Sequence, residues 1–147
     1  MKTIKMLIIL ITTVLAMLGI VSCKESIVPA EKLPSLAKSF IEEYFPGIPI
    51  SYIKKDSKLL GPSYVIVLQD GTEIEFDHNG EWDKVDCKRT PVPPSLVPAA
   101  ISDYIDTSFA GQIIVKIDKE PYGFEIELGN DLELLFDKNG KLINIDD

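Results

Sequence analysis

The chain of 147 residues carries 23 acidic against 15 basic side chains, a formal net charge of −8, and enough hydrophobic residues (46%) to pack a core. Such an acidic surface repels phosphate backbones and anionic lipid head groups, which argues against nucleic-acid binding and against electrostatic docking on a membrane. Two cysteines are too few for a disulfide-stapled scaffold.

Residues 1–22 set Lys2 and Lys5 ahead of an uncharged apolar run from Met6 to Val21, the layout of a secretory signal peptide. The run is near the short end of what spans a bilayer, and no basic cluster follows it. It closes on Ile20-Val21-Ser22-Cys23, similar to a bacterial lipobox, so lipidation at Cys23 is expected. That places the protein in the periplasm or at the outer membrane, with the lipid as its sole membrane contact. Losing the leader removes Lys2 and Lys5 and no acid, leaving 13 basic against 23 acidic residues and a net charge of −10. Cys87 then stands single, unable to form an intramolecular disulfide, and is expected to be buried. Residues 23–31 are polar and aperiodic and read as a tether.

Residues 32–90 and 91–147 follow one plan. Leu33, Leu36, Ala37, Phe40, Ile41 and Tyr44 fall at helical steps of three and four, with Pro34 at the start and Phe45-Pro46-Gly47 at the end. Val97, Ala100, Ile101, Tyr104 and Ile105 repeat the stripe 64 residues later, with Pro98 and Phe109-Ala110-Gly111 in the same roles. Period-two strand patterns follow each helix: Tyr64, Ile66, Leu68 then Ile74, Phe76, and Phe124, Ile126, Leu128 then Leu132, Leu134, Phe136. The second set is offset by 60, a difference expected to lie in a surface loop, KDSKLLGPSY against KEPYGF. Asp77-His78-Asn79-Gly80 and Asp137-Lys138-Asn139-Gly140 read as type I turns closed by a left-handed glycine, leading into Trp82–Cys87 and Leu142–Asp146. The fold class expected is α+β, with two tandem α-β-β-β-β repeats forming an antiparallel sheet of about eight strands and both helices on one face.

Chemistry-bearing patterns are sparse. The turns bring Asp and Asn beside further acids, but Gly comes fourth where a calcium loop needs it sixth, and the hairpin already explains the residues. Nucleophilic catalysis would need a positioned base, and the lone His78 sits at a turn tip. Clustered zinc ligands and Gly-rich phosphate loops are absent from the sequence. Glu73 with Glu75, and Glu125 with Glu127, share a strand face with Lys116 and read as a solvated charge ladder. The expectation is a protein that is not an enzyme and needs no cofactor.

The remaining lead is the sheet face away from the helices. Strict alternation directs Ser51 and Ile53 to the helices and Ile50, Tyr52, Lys54, Val65, Val67, Glu73, Glu75, Trp82 and Lys84 away from them. In the second half it directs Ile114, Lys116, Glu125, Glu127, Glu133, Leu135 and Leu142 the same way. Aromatic and aliphatic residues rimmed by charge have the composition of a protein-binding surface. Ile50, Tyr52, Val65, Val67 and Trp82 would supply apolar contact, and Glu73, Glu75, Lys84 and Lys116 orientation. The alternative is calcium or small-ligand binding through the acidic hairpin turns.

The segments LPSLAKSFIEEYFPG, DGTEIEFDHNGEWDKVDC, VPPSLVPAAISDYI and FDKNGKLINID resemble the PepSY-like family described as β-lactamase-inhibitor-like, over nearly all of residues 32–147. The resemblance implies secreted or lipid-anchored bacterial proteins whose paired repeats form a curved sheet backed by helices, similar to β-lactamase inhibitor protein. It brings no catalytic or metal residues. This chain departs from the pattern at Ala110, where the first half has Pro46, and at Leu142, where it has Trp82. The function expected is a binding module for an envelope protein or peptide, in its narrower form an inhibitor of a hydrolase or peptidase.

Overall fold

A computed structural model describes residues 25–58 and 61–146; the leader and Cys23 lie outside them. The first apolar stripe forms α1 (Ser35–Tyr44) and the second α2 (Ala99–Ser108), each starting just after its proline. Pro34 and Pro98 serve as N-caps, where a residue without an N–H loses nothing, since the first helical N–H groups have no partner in the helix. Each helix ends as the amide of Phe45 or Phe109 bonds back to Ile41 or Ile105, at 2.9 and 2.8 Å. Gly47 (φ +77°) and Gly111 (φ +84°) then turn the chain away.

The strands are β1 (Glu25–Ile27), β2 (Ile50–Lys58), β3 (Gly61–Leu68), β4 (Glu73–Phe76), β5 (Trp82–Asp86), β6 (Ile114–Glu120), β7 (Gly123–Leu128), β8 (Glu133–Asp137) and β9 (Leu142–Asp146). They form one antiparallel sheet of nine strands in sequence order. The extra strand over the eight expected is β1, which pairs with Lys54–Asp56 of β2. Its three residues alternate too briefly to signal a strand, and they form one by satisfying backbone groups on the edge of β2. The four-residue difference between the halves lengthens a hairpin rather than a loop. The β2–β3 pairing continues to Lys58 opposite Gly61, whereas β6–β7 stops at Glu120 opposite Gly123.

Both helices pack on the sheet face that carries Ile66, Ile74, Val85, Ile117, Ile126 and Leu134, all fully buried. Phe40 meets Phe76 edge-on at 5.4 Å, and Tyr104 meets Phe136 in the same way at 5.6 Å. Each such buried ring or aliphatic chain stabilises the fold by about 1.5–3 kcal/mol. Leu33, Val92, Leu96 and Val97, from the segments leading into the helices, close the core, while Leu36 is left exposed. Cys87 is a buried free thiol, and burial pushes its pKa up to about 11, further raised by Asp70 and Asp86 and partly opposed by a hydrogen bond with Thr72.

The two Asp-x-Asn-Gly turns adopt the expected form. Asp77 Oδ1 accepts from the amides of Asn79 (2.8 Å) and Glu81 (2.9 Å), and Asp137 Oδ1 does the same for Asn139 and Lys141. Partial burial works against the Asp77 charge, but these bonds from Glu81 and Asn79 win and hold its pKa below the usual carboxylate value. Gly80 (φ +89°) and Gly140 (φ +79°) close the turns. These glycines have a second duty. A Cβ at Gly80 would lie 2.8 Å from Pro34 Cβ and 3.0 Å from the Ala37 nitrogen, and one at Gly140 would lie 2.7 Å from Ala100 Cβ. Each hairpin tip therefore rests against the first turn of its helix.

Candidate functional site: the open sheet face

Because successive strand residues point to opposite faces, cross-strand partners on the face away from the helices line up in rows. One row runs Lys54, Val65, Glu75, Lys84, Asp118, Glu125, Leu135, Asn144 from β2 to β9. The other runs Tyr52, Val67, Glu73, Asp86, Lys116, Glu127, Glu133, Asp146. Every one of these residues keeps solvent exposure. Apolar side chains gather at the β2–β3 end, and carboxylates dominate the rest.

Three lysines hold the carboxylates together. Lys116 Nζ lies 3.2 Å from Glu125 and Glu127 and 3.4 Å from Glu133. Burial alone would lower its pKa, but hydrogen bonds to Glu127 and Glu125 override that and hold it charged far into the alkaline range. Lys84 pairs with Glu75 at 3.7 Å. Lys88, just past β5, reaches Asp86 at 2.6 Å and Glu73 at 3.2 Å. These pairs are half-buried to exposed and stay in reach of solvent, so each contributes modestly to stability and their main effect is to fix side-chain positions across the face.

Asp118 sits in mid-row between Lys84 and Glu125. Burial raises its pKa to about 6; attraction to Lys84 opposes this, while Glu120, Glu125 and Glu75 add to it. An acid whose pKa is higher in the folded than the unfolded state destabilises the fold when charged. The penalty is absent below the unfolded value near 4 and complete above about 6. Asp118→Asn is thus expected to stabilise the protein by about 1 kcal/mol at pH 7.5, a figure reduced for solvent screening, and to gain nothing below pH 4. Thermal melts of both proteins across that range check it, and a gain independent of pH would contradict the assignment.

Seven of the nine residues predicted for the face, Tyr52, Val65, Val67, Glu73, Glu75, Lys84 and Lys116, lie on it. Ile50 and Trp82 do not. A β-bulge between Ile50 and Tyr52 puts Ile50 opposite Leu68 on the helix side, where it lines a groove with Leu33 and Ile41, and leaves Ser51 exposed. A second bulge pairs Trp82 with Phe76, so the indole packs 6.1 Å from the Phe40 ring. Lys119 Nζ covers it 3.6 Å from the ring centroid and donates to the Trp82 carbonyl at 2.9 Å. Equivalent bulges turn Ile114 and Leu142 to the helix side as well. Asp86 and Asp118 join the face although they were not singled out; two-residue steps from Lys84 and Lys116 point to both.

His78 is exposed beside Asp77 (3.9 Å), and the Cys87 thiol is buried. Among the described residues, no group of three or more His, Cys, Asp or Glu side chains is placed to hold a metal ion. None of the described helices is long and apolar enough to cross a membrane.

The family described as "Putative beta-lactamase-inhibitor-like, PepSY-like" matches residues 62–144. Among solved structures, a proposed periplasmic protein of unknown function from Bacteroides vulgatus ATCC 8482 superposes with a TM-score of 0.80 at 36% identity, covering 84% of this chain and 100% of its own. A second protein from that organism, also described as a proposed periplasmic protein, gives 0.80 at 30% identity over 86% of this chain and 99% of its own. A proposed calcium-regulated periplasmic protein from Bacteroides thetaiotaomicron gives 0.79 at 35% identity over 84% of this chain and 97% of its own. No curated protein matches. An α+β domain of two helices on an antiparallel sheet, with these neighbours and this family match, belongs to the PepSY-like, β-lactamase-inhibitor-like family.

Proposed function

We propose that this protein is a non-enzymatic binding module of the cell envelope, exported and anchored through Cys23, that presents its open sheet face to a protein or peptide partner. The observation that carries this reading is the arrangement of the face. Tyr52, Val65 and Val67 form an apolar end, and side chains fixed by Lys84, Lys88 and Lys116 continue it as an acidic field. Apolar contact would supply affinity, and the acidic field would steer and orient a basic partner. In its narrower form the module inhibits an envelope hydrolase or peptidase by covering its active site. The recurrence of helix, bulge and turn-glycine contact supports reading the domain as two repeats of one unit, similar to β-lactamase inhibitor protein. Capture of envelope proteins by the native protein, set beside a Tyr52→Lys/Val67→Lys variant, tests this reading.

Binding of calcium is a second reading, favoured by the description of the B. thetaiotaomicron neighbour as calcium-regulated. In this chain Asp77 Oδ1 and Asp137 Oδ1 already accept two backbone amides each, so the turns would have to give up those bonds to bind an ion. Calorimetry with millimolar calcium decides it: no heat and no thermal shift would remove this reading.

A further inference from the structure

Twice the chain runs strand, short 3-10 turn, α-helix, strand, and both times the strand before the helix pairs with the strand after it, β1 with β2 and β5 with β6. β9 is built as β5 is. Both follow an Asp-x-Asn-Gly turn, and in both a bulge sets the first residue opposite a buried phenylalanine, Trp82 on Phe76 and Leu142 on Phe136. After the bulge β5 pairs Lys84, Val85 and Asp86 with Asp118, Ile117 and Lys116 of β6. The corresponding residues of β9 are Asn144, Ile145 and Asp146, and among the described residues no strand pairs with their outer edge. The consequence is measurable at one position: Val85 is 0% exposed under its neighbours, whereas Ile145 is 42% exposed. Charge is uneven there too. In the row ending at β9, Glu127, Glu133 and Asp146 stand side by side, and the cation serving Glu127 and Glu133 is Lys116, on the far side of the run.

We infer that the free edge of β9 accepts an added antiparallel strand from a polypeptide partner, one that sets an aliphatic residue opposite Ile145 and a lysine or arginine opposite Asp146. Backbone hydrogen bonds to the unpaired edge give the affinity, and these two positions the selectivity. The chain's own β6 supplies the template, since Lys116 and Ile117 fill those positions opposite Asp86 and Val85. This inference stands apart from the open-face reading and fails separately from it.

The test uses 15N-labelled protein and a synthetic peptide with the sequence of Ile114–Glu120. Expected are saturable chemical-shift changes centred on residues 142–146. A peptide with glutamate at the position of Lys116 should bind at least tenfold more weakly, and one N-methylated at the position of Ile117 should not bind. Ile145→Lys, at an exposed site, should keep the fold by circular dichroism and lose the peptide. Absence of binding, binding insensitive to N-methylation, or shifts centred on Tyr52 and Val67 would overturn the assignment. The last result would leave the open-face reading intact.

Discussion

Gly80→Ala is expected to destabilise the protein by about 3 kcal/mol, a loss of about 10 °C in Tm. Two costs add. A side chain in the left-handed region costs about 1–2 kcal/mol, and the new Cβ would press on Pro34 Cβ at 2.8 Å and on the Ala37 backbone nitrogen at 3.0 Å. Backbone in a packed helix yields poorly, so hairpin and helix must separate. Gly47→Ala separates the two costs. Gly47 also has positive φ (+77°), but nothing lies within 4 Å of the added Cβ, so about 1 kcal/mol is expected. Equal losses from both variants in chemical denaturation would show that the hairpin tip does not rest on the helix.

The other large effect concerns Trp82. Trp82→Ala should cost about 2–3 kcal/mol, because the indole packs against Phe40 and Phe76 and is capped by Lys119, although it is only partly buried. Tyr52→Ala should cost less than about 1 kcal/mol, since its ring lies exposed on the open face beside Val67. Strict strand alternation gives these two residues the same environment; the bulges separate them. A near-neutral Trp82→Ala in a denaturant titration would place the indole back on the open face.

That contrast shows how far the sequence could be read. The turns were legible because Asp-x-Asn-Gly specifies hydrogen bonds within five residues, and the helices because their stripes run three turns between proline and glycine. Val65, Val67, Glu73 and Glu75 were placed correctly because β3 and β4 alternate without interruption. Ile50 and Trp82 were misplaced because one inserted residue reverses the parity before it. A signal for the insertion exists. Ile50 and Ile53, Trp82 and Val85, Ile114 and Ile117, Leu142 and Ile145 are apolar pairs three apart within strands, a spacing that puts both on one face only if a bulge lies between. β1 carried no such signal, because its place depends on the unsatisfied edge of β2, not on its own sequence. Asp118 carried no such signal either, because its raised pKa arises first from burial in the folded sheet, with Glu120 of its own strand and Glu125 and Glu75 of neighbouring strands adding to it.

The open face is tested most directly by presenting the native protein and a Tyr52→Lys/Val67→Lys variant, both shown folded by circular dichroism, to solubilised envelope proteins and identifying what each retains. Charges at exposed Tyr52 and half-buried Val67, both on the face away from the helices, leave the core untouched but ruin the apolar end of the face. The binding-module reading predicts a partner held by the native protein and lost by the variant. The same set retained by both would contradict it.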